Sequence, residues 1–290
     1  DSFVVGYFRE IMGRKPSLTL ELDSHTADAG LETRVEAFLD IVQAYRQLVA
    51  QKKIVQQERS FQPAKIVNQN GTVNVQTSSG DVLPISHPRV TLLIPSMGRL
   101  SSEAFAAVFK GSGFRAKAHQ PADEAVLKLG RANTSCKECL PLILTTGTLL
   151  NYINNGRRDS EVVIYFFATG SGPCRFGQYY IFMEDLIKRL EIPDVALFTL
   201  SSEDGYVGLE KDFETRGWWA VVTADVMEDI RSMILANAVD TERATALFET
   251  EWQAILAVLE KREFSVLEEQ LMRTAGNLRN IPLRQPAETV

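Results

Sequence analysis

Residues 161–168 read Glu-Val-Val-Ile-Tyr-Phe-Phe-Ala, a near-continuous apolar run of strand length. A strand with one solvated face alternates polar and apolar residues. A run like this one needs cover on both faces, as strands of a parallel sheet between helices have. The flanking sequence repeats the pattern. Residues 89–95 (RVTLLIP) predict a second buried strand, and 101–110 a helix capped by Ser101 or Ser102 with Ala104, Phe105, Val108 and Phe109 facing in. Strands are expected at 114–119 and 194–200, and helices at 123–129, 137–154 and 174–190. Strand–helix alternation with short connections predicts an α/β fold built on a doubly wound parallel sheet.

The flanks differ from this core. Residues 16–23 (PSLTLELD) alternate like a strand, and 24–30 form a polar loop. A helix is expected over 31–51, with Val35, Phe38, Leu39, Val42, Tyr45 and Leu48 in one stripe. Residues 64–88 carry Asn-Gly and Ser-Gly-Asp turns between short alternating segments, the pattern of a small β-hairpin or meander inserted as a flap. Helical periodicity fills 213–238, 241–261 and 265–280, and Trp218-Trp219 reads as helix packing. Pro282, Pro286 and a polar tail suggest an exit linker. The expected units are 1–63, 64–88, 89–211 and a C-terminal helical part at 212–290.

A net charge of −6 and a pI near 5.3 argue against nucleic acid or anionic membrane as partner. The longest apolar stretches fall far short of the roughly 20 residues of a membrane span. Residues 1–15 lack the layout of a signal peptide, and the chain starts at Asp1, so a longer parent chain is expected. Three cysteines suit a disulfide framework poorly, which points to a reducing cytoplasm.

Those cysteines are the main chemical feature. Cys136 and Cys139 form a C-x-x-C in a polar segment where the 137–154 helix begins. Cys174 lies in Gly170-Ser-Gly172-Pro-Cys174-Arg175-Phe-Gly, the loop after the 161–168 strand. Ligands of open α/β sheets gather beyond the carboxyl ends of the strands, so the topology lets the three sulfurs converge there. A helix start favours the thiolate, and a Gly-rich loop lets backbone approach a ligand closely. Three thiolates can hold a four-iron, four-sulfur cluster and leave one iron open. They can bind zinc with a histidine as fourth ligand, or they can simply fill space. His25, His87 and His119 are the only histidines. None forms an H-x3–5-H, and His25, in a loop between a strand and a helix, also reads as an ordinary loop hydrogen-bonder. No Ser-His-Asp arrangement or paired-carboxylate motif stands out.

The stretch from Leu20 to Leu39 (LELDSHTADAGLETRVEAFL) resembles a "D-x-H-x-x-x-A-G-x-x-T-R-x-E-A-F" segment of bacterial CoA-substrate-specific enzyme activases. These are related to the activator and iron–sulfur subunits of 2-hydroxyacyl-CoA dehydratases. The blocks Lys137-Glu-Cys-Leu-Pro141 with Thr145-Thr-Gly147, and Gly172-Pro-Cys-Arg-Phe-Gly-Gln-Tyr179, resemble that family's two cysteine motifs. The resemblance spans roughly residues 17–285 and implies the cluster-bearing portion alone, because no phosphate loop of an ATPase module is present. It implies a [4Fe-4S] cluster on Cys136, Cys139 and Cys174, with Gly170, Gly172 and Arg175 around it. It further implies an anaerobic, ATP-driven, low-potential electron-transfer or reductase system acting on CoA thioesters or similar substrates. The partner would be an ATPase activator module in the same or another chain, and a homodimer is a further arrangement. The competing expectation is a structural or docking module, with residues 64–86 and the C-terminal helices as interfaces and no metal of its own.

Overall fold

The computed structural model describes residues 5, 8, 11–13, 15–20, 22, 28–51, 61–69, 72–96, 98–134, 138–169, 174–201 and 212–285. Its centre is a four-stranded parallel sheet of β4 (Val90–Ile94), β5 (Ala116–Ala118), β6 (Val162–Thr169) and β7 (Val195–Ser201), in the order β5-β4-β6-β7. The fold is α/β and the sheet is covered on both faces, as the 161–168 run requires.

Alternation along each strand sorts the core into two layers. One face presents Leu92 and Ile94, Ile164 and Phe166, and Phe198 and Leu200. It packs on α2 (Arg99–Gly111) and on the C-terminal helices α6 (Phe213–Asn237), α7 (Thr241–Leu259) and α8 (Phe264–Leu278). Phe109 is the hub, with ring centroids 4.8 Å from Phe213, 5.2 Å from Phe114 and 5.3 Å from Phe166. The opposite face presents Leu93, Val163, Tyr165 and Phe167 to α4 (Leu140–Asn151) and α5 (Tyr179–Arg189). A π turn at Tyr152–Gly156 ends α4, and α3 (Glu124–Asn133) crosses it. Each fully buried large side chain here contributes about 1.5–3 kcal/mol.

The 64–88 region forms an antiparallel meander of β1 (Lys65–Gln69), β2 (Thr72–Gln76) and β3 (Val82–Pro84). It is docked rather than a free flap. Val75 is fully buried and joins the same core as α2 and α6. The Ser78 N–H donates to Asp194 Oδ1 at 2.9 Å, and the Asp194 N–H donates back to Ser78 Oγ at 2.9 Å. Asp194 also holds a left-handed backbone, φ 57°, which Asp tolerates better than most residues. Asp194→Ala loses the side-chain acceptor and adds backbone strain, an expected cost of about 2 kcal/mol. The urea midpoint should fall, with faster amide exchange in β1–β3. An unchanged midpoint would show that this clasp contributes nothing.

Three expectations need correction. No strand occurs among the described residues of 16–23, where Leu18 and Leu22 are exposed. Alternation signals a strand only where a partner exists to pair with it. Helix α2 begins at Arg99 behind Gly98 (φ 125°) with no side-chain cap, and Ser102 Oγ instead donates to the Pro95 carbonyl at 3.0 Å. Helix α1 (Asp28–Ala50) forms as expected, but Val35, Leu39 and Leu48 of its stripe are exposed. Among the described residues, no helix is long and apolar enough to cross a membrane.

Candidate functional site

The strand order places a topological switch between β4 and β6. The chain leaves β4 into α2 on one face and β6 into α5 on the other, which opens a crevice at the carboxyl edge. Helices running back from that edge start there, so the residues before α4 and α5 are brought to it. These residues include Cys139 and Cys174.

Cys139 is the N-cap of α4, and its carbonyl accepts the N–H groups of Leu142 and Ile143 at 3.1 and 3.2 Å. Its half-buried sulfur lies 2.6 Å from the Tyr179 hydroxyl. Tyr179 starts α5 and is buried. Cys174 is exposed and precedes the short 3-10 turn Arg175–Gln178 that leads into the same helix. Burial raises the Tyr179 pKa far above its ordinary value, and the hydrogen bond to Cys139 and the negative charges of Cys139 and Cys174 raise it further. The Arg175 guanidinium opposes them. The phenol therefore stays protonated, and Cys139, Cys174 and Arg175 all act on it electrostatically. Two of the expected thiols and the expected arginine share one locality.

Cys136, Gly170, Gly172 and His25 lie outside the described residues. Among the described residues no three His, Cys, Asp or Glu side chains are grouped to hold a metal ion. Of the other histidines, His87 stands in the turn before β4, at the opposite edge of the sheet, where its Nδ1 accepts the Arg89 N–H at 3.2 Å. His119 follows β5, two strand spacings, about 10 Å, from β6. Its Nδ1 is 2.7 Å from the Gln120 carbonyl. Neither stands beside Cys139 and Cys174 as a fourth zinc ligand. The donor atoms that the described residues bring to Tyr179 are the sulfurs of Cys139 and Cys174, soft ligands of the kind that iron or zinc accepts.

A cavity of about 470 Å³ lies at the ends of β4, β6 and β7. Phe105, Phe166, Phe213 and Trp218 give it an aromatic lining, and Thr169 and Glu214 add polar groups. Phe176 lines it too, and its ring stands edge-on to Tyr179 at 5.2 Å. One aromatic side chain thus joins the cavity wall to the residue that touches Cys139. Tyr179 and the cavity were not foreseen from the sequence. Tyr179 stood in the quoted motif, five residues after Cys174, but its contact crosses 40 residues of chain. Trp218, expected as packing, is 61% exposed at the cavity rim, whereas Trp219 does pack, 4.8 Å from Phe264.

No family model matches the chain, and comparison with curated proteins and with solved structures finds no match to either.

Proposed function

We propose that this chain is the iron–sulfur-binding module of an ATP-driven, low-potential electron-transfer or reductase system that acts on CoA thioesters or similar substrates. The observation that carries the reading is the contact of Cys139 with the Tyr179 hydroxyl at the carboxyl edge of the sheet, with Cys174 near enough to act on the same phenol electrostatically. Cys136, Cys139 and Cys174 are the ligands in this reading. Gly170 and Gly172 let backbone approach them, and Arg175 supplies positive charge. A bound cluster supplies one-electron chemistry at low potential. The chain's own part is to orient and protect. Tyr179 holds a proton against the Cys139 sulfur, a hydrogen bond of the kind that tunes such a centre. The aromatic cavity beside Phe176 is largely apolar and has room for an acyl group.

Anaerobic reconstitution of the full chain tests this. About four iron and four sulfide per chain are expected, with a broad visible absorbance. Cys139→Ser and Cys174→Ser should each lose most of the iron while keeping the wild-type far-UV circular dichroism. A colourless wild type after reconstitution, or full iron in Cys174→Ser, refutes the reading. One observation favours the docking alternative: α1 leaves Leu39 and Ile41 59% and 57% exposed. If docking is the whole function, triple replacement of the cysteines leaves complex formation with an ATPase module intact and removes no electron transfer.

A further inference from the structure

At the opposite edge of the sheet, far from the thiols, an acidic chain gathers positive charge. A cleft of about 530 Å³ there is lined by Lys110, Arg115, Lys117 and Arg158, with Tyr152 and Glu161 in its wall. The backbone dictates part of this arrangement. The Arg115 carbonyl accepts the Leu92 N–H at 2.9 Å, which carries the β5 ladder back by one residue. Arg115 and Lys117 are two apart in an extended segment, so they project to the same face while Ala116 enters the core between them. Lys117 Nζ stands 4.9 Å from the centre of the Tyr152 ring, which steers its stem along the cleft wall.

The charges in the cleft do not cancel. Lys110 pairs with Glu260 at 3.3 Å and Arg158 with the buried Glu161 at 2.9 Å. Arg115 and Lys117 have no carboxylate partner among the described residues. Among the described residues two positive charges therefore stand unmatched on one wall, beside the guanidinium that holds Glu161. A phosphomonoester carries about −1.5 to −2 charge at neutral pH and presents three strong acceptor oxygens. Arginine meets such an oxygen pair as a fork and lysine as a point charge. We propose that this cleft is a binding site for a phosphate dianion or phosphomonoester, seated between Arg115 and Lys117 with Arg158 at its back. The site is independent of the cysteines and of any function assigned to them. Positive charge on an edge strand also discourages strand pairing, but that role needs no cleft and no convergence.

Calorimetric titration of the full chain with inorganic phosphate, at fixed ionic strength in chloride, tests the proposal. Fixed ionic strength matters because salt screens exposed charges and phosphate stabilises most proteins generally. Saturable binding is expected, weakened at least about tenfold in the Arg115→Ala/Lys117→Ala double variant, since each charge-assisted contact is stronger than a neutral one. Both side chains are exposed, so the double variant should keep the wild-type melting temperature. A parallel titration with phenyl phosphate separates the two sources of the shared chemistry. Tighter binding of the ester indicates an organic phosphate, and equal or weaker binding indicates free phosphate. No saturable binding up to about 10 mM, or equal binding by the double variant, overturns the proposal.

Discussion

Gly147→Ala should lower the melting temperature by about 6–12 °C, the shift expected for a loss of about 3 kcal/mol in a chain of this size. Helices α3 and α4 cross with their backbones almost touching. A Cβ on Gly147 would sit 1.9 Å from the Val126 carbonyl oxygen, where real Cβ contacts stay beyond 3.0 Å. The obstacle is helix backbone, so no side-chain rotation relieves it. The helices must part by more than an ångström, and α4 carries Leu142 and Leu149, both fully buried against the sheet. Gly130 faces the same crossing, with its virtual Cβ 2.0 Å from the Ile143 carbonyl oxygen. Gly130→Ala should cost a similar amount. The double variant should cost less than the sum, because helices already parted accommodate the second methyl. Gly276→Ala is the control: nothing lies within 4 Å of its Cβ, and alanine is the better helix former. A melting temperature for Gly147→Ala within 2 °C of wild type would contradict this packing.

Gly147 also shows what a motif conceals. In the sequence it closes the Thr145-Thr-Gly block that accompanies the first cysteine pair, and it reads as part of a functional signature. In the structure it is where one helix admits another. The parallel sheet was legible because three apolar segments, rich in Val, Ile, Leu and Phe, alternate with helical periodicity, and few folds cover such strands on both faces. Residues 16–23 carried an equally regular alternation and form no strand where described, because periodicity records a face and not a partner. The same limit applies to α1. Its stripe was read correctly as one side of a helix, but Leu39 is 59% exposed, so what that side meets lies outside the sequence pattern.

For the site, position was legible and company was not. Helices that return the chain to the start of a parallel strand begin at one edge, so placing Cys139 at the head of α4 and Cys174 on the junction between β6 and α5 sufficed to bring them to it. Tyr179 could not be found that way, since its bond to Cys139 exists only after α4 and α5 pack side by side on the sheet. The cavity is further removed still. Its floor is the end of the sheet, but Phe213 and Trp218 come from α6, which folds back over the α2 face. The cationic cleft has a local root in Arg115-Ala-Lys117, but Arg158 joins it only through the pairing of β4 with β5 and β6.

Arg158→Ala should destabilise the protein by about 3 kcal/mol at pH 7.5, and the deficit should shrink as the pH falls below about 5. Glu161 is buried, with 2% of its surface exposed. Burial alone would raise its pKa, but hydrogen bonds outweigh it and hold the value below the ordinary 4.5. The Thr91 hydroxyl donates at 2.6 Å, the Arg158 backbone and guanidinium at 2.9–3.1 Å, and the Tyr152 hydroxyl at 3.1 Å. Burial, the charge of Glu161 and the same contact push the Tyr152 phenol up to about 12, so it remains a donor. In the wild type this carboxylate stabilises the fold fully above pH 4.5, and the contribution is lost as the pH falls through its lowered folded-state value. Alanine at 158 removes the guanidinium contacts and leaves the buried carboxylate with neutral donors only, the Thr91 and Tyr152 hydroxyls and the backbone N–H of residue 158. With the guanidinium gone, burial is expected to outweigh the remaining hydrogen bonds and raise the folded-state pKa above the unfolded one. Ionised Glu161 now costs stability at neutral pH, and protonation relieves the cost. Arg158 is half-exposed, and water replaces part of what it supplied, which keeps the expected loss at the lower end for a broken buried pair. Adding Glu161→Gln to Arg158→Ala should recover stability at pH 7.5 and flatten the profile, because no charge remains to bury. Urea midpoints from pH 4 to 8 for the three proteins decide it. If Arg158→Ala parallels the wild type over that range, Glu161 is not held ionised by Arg158.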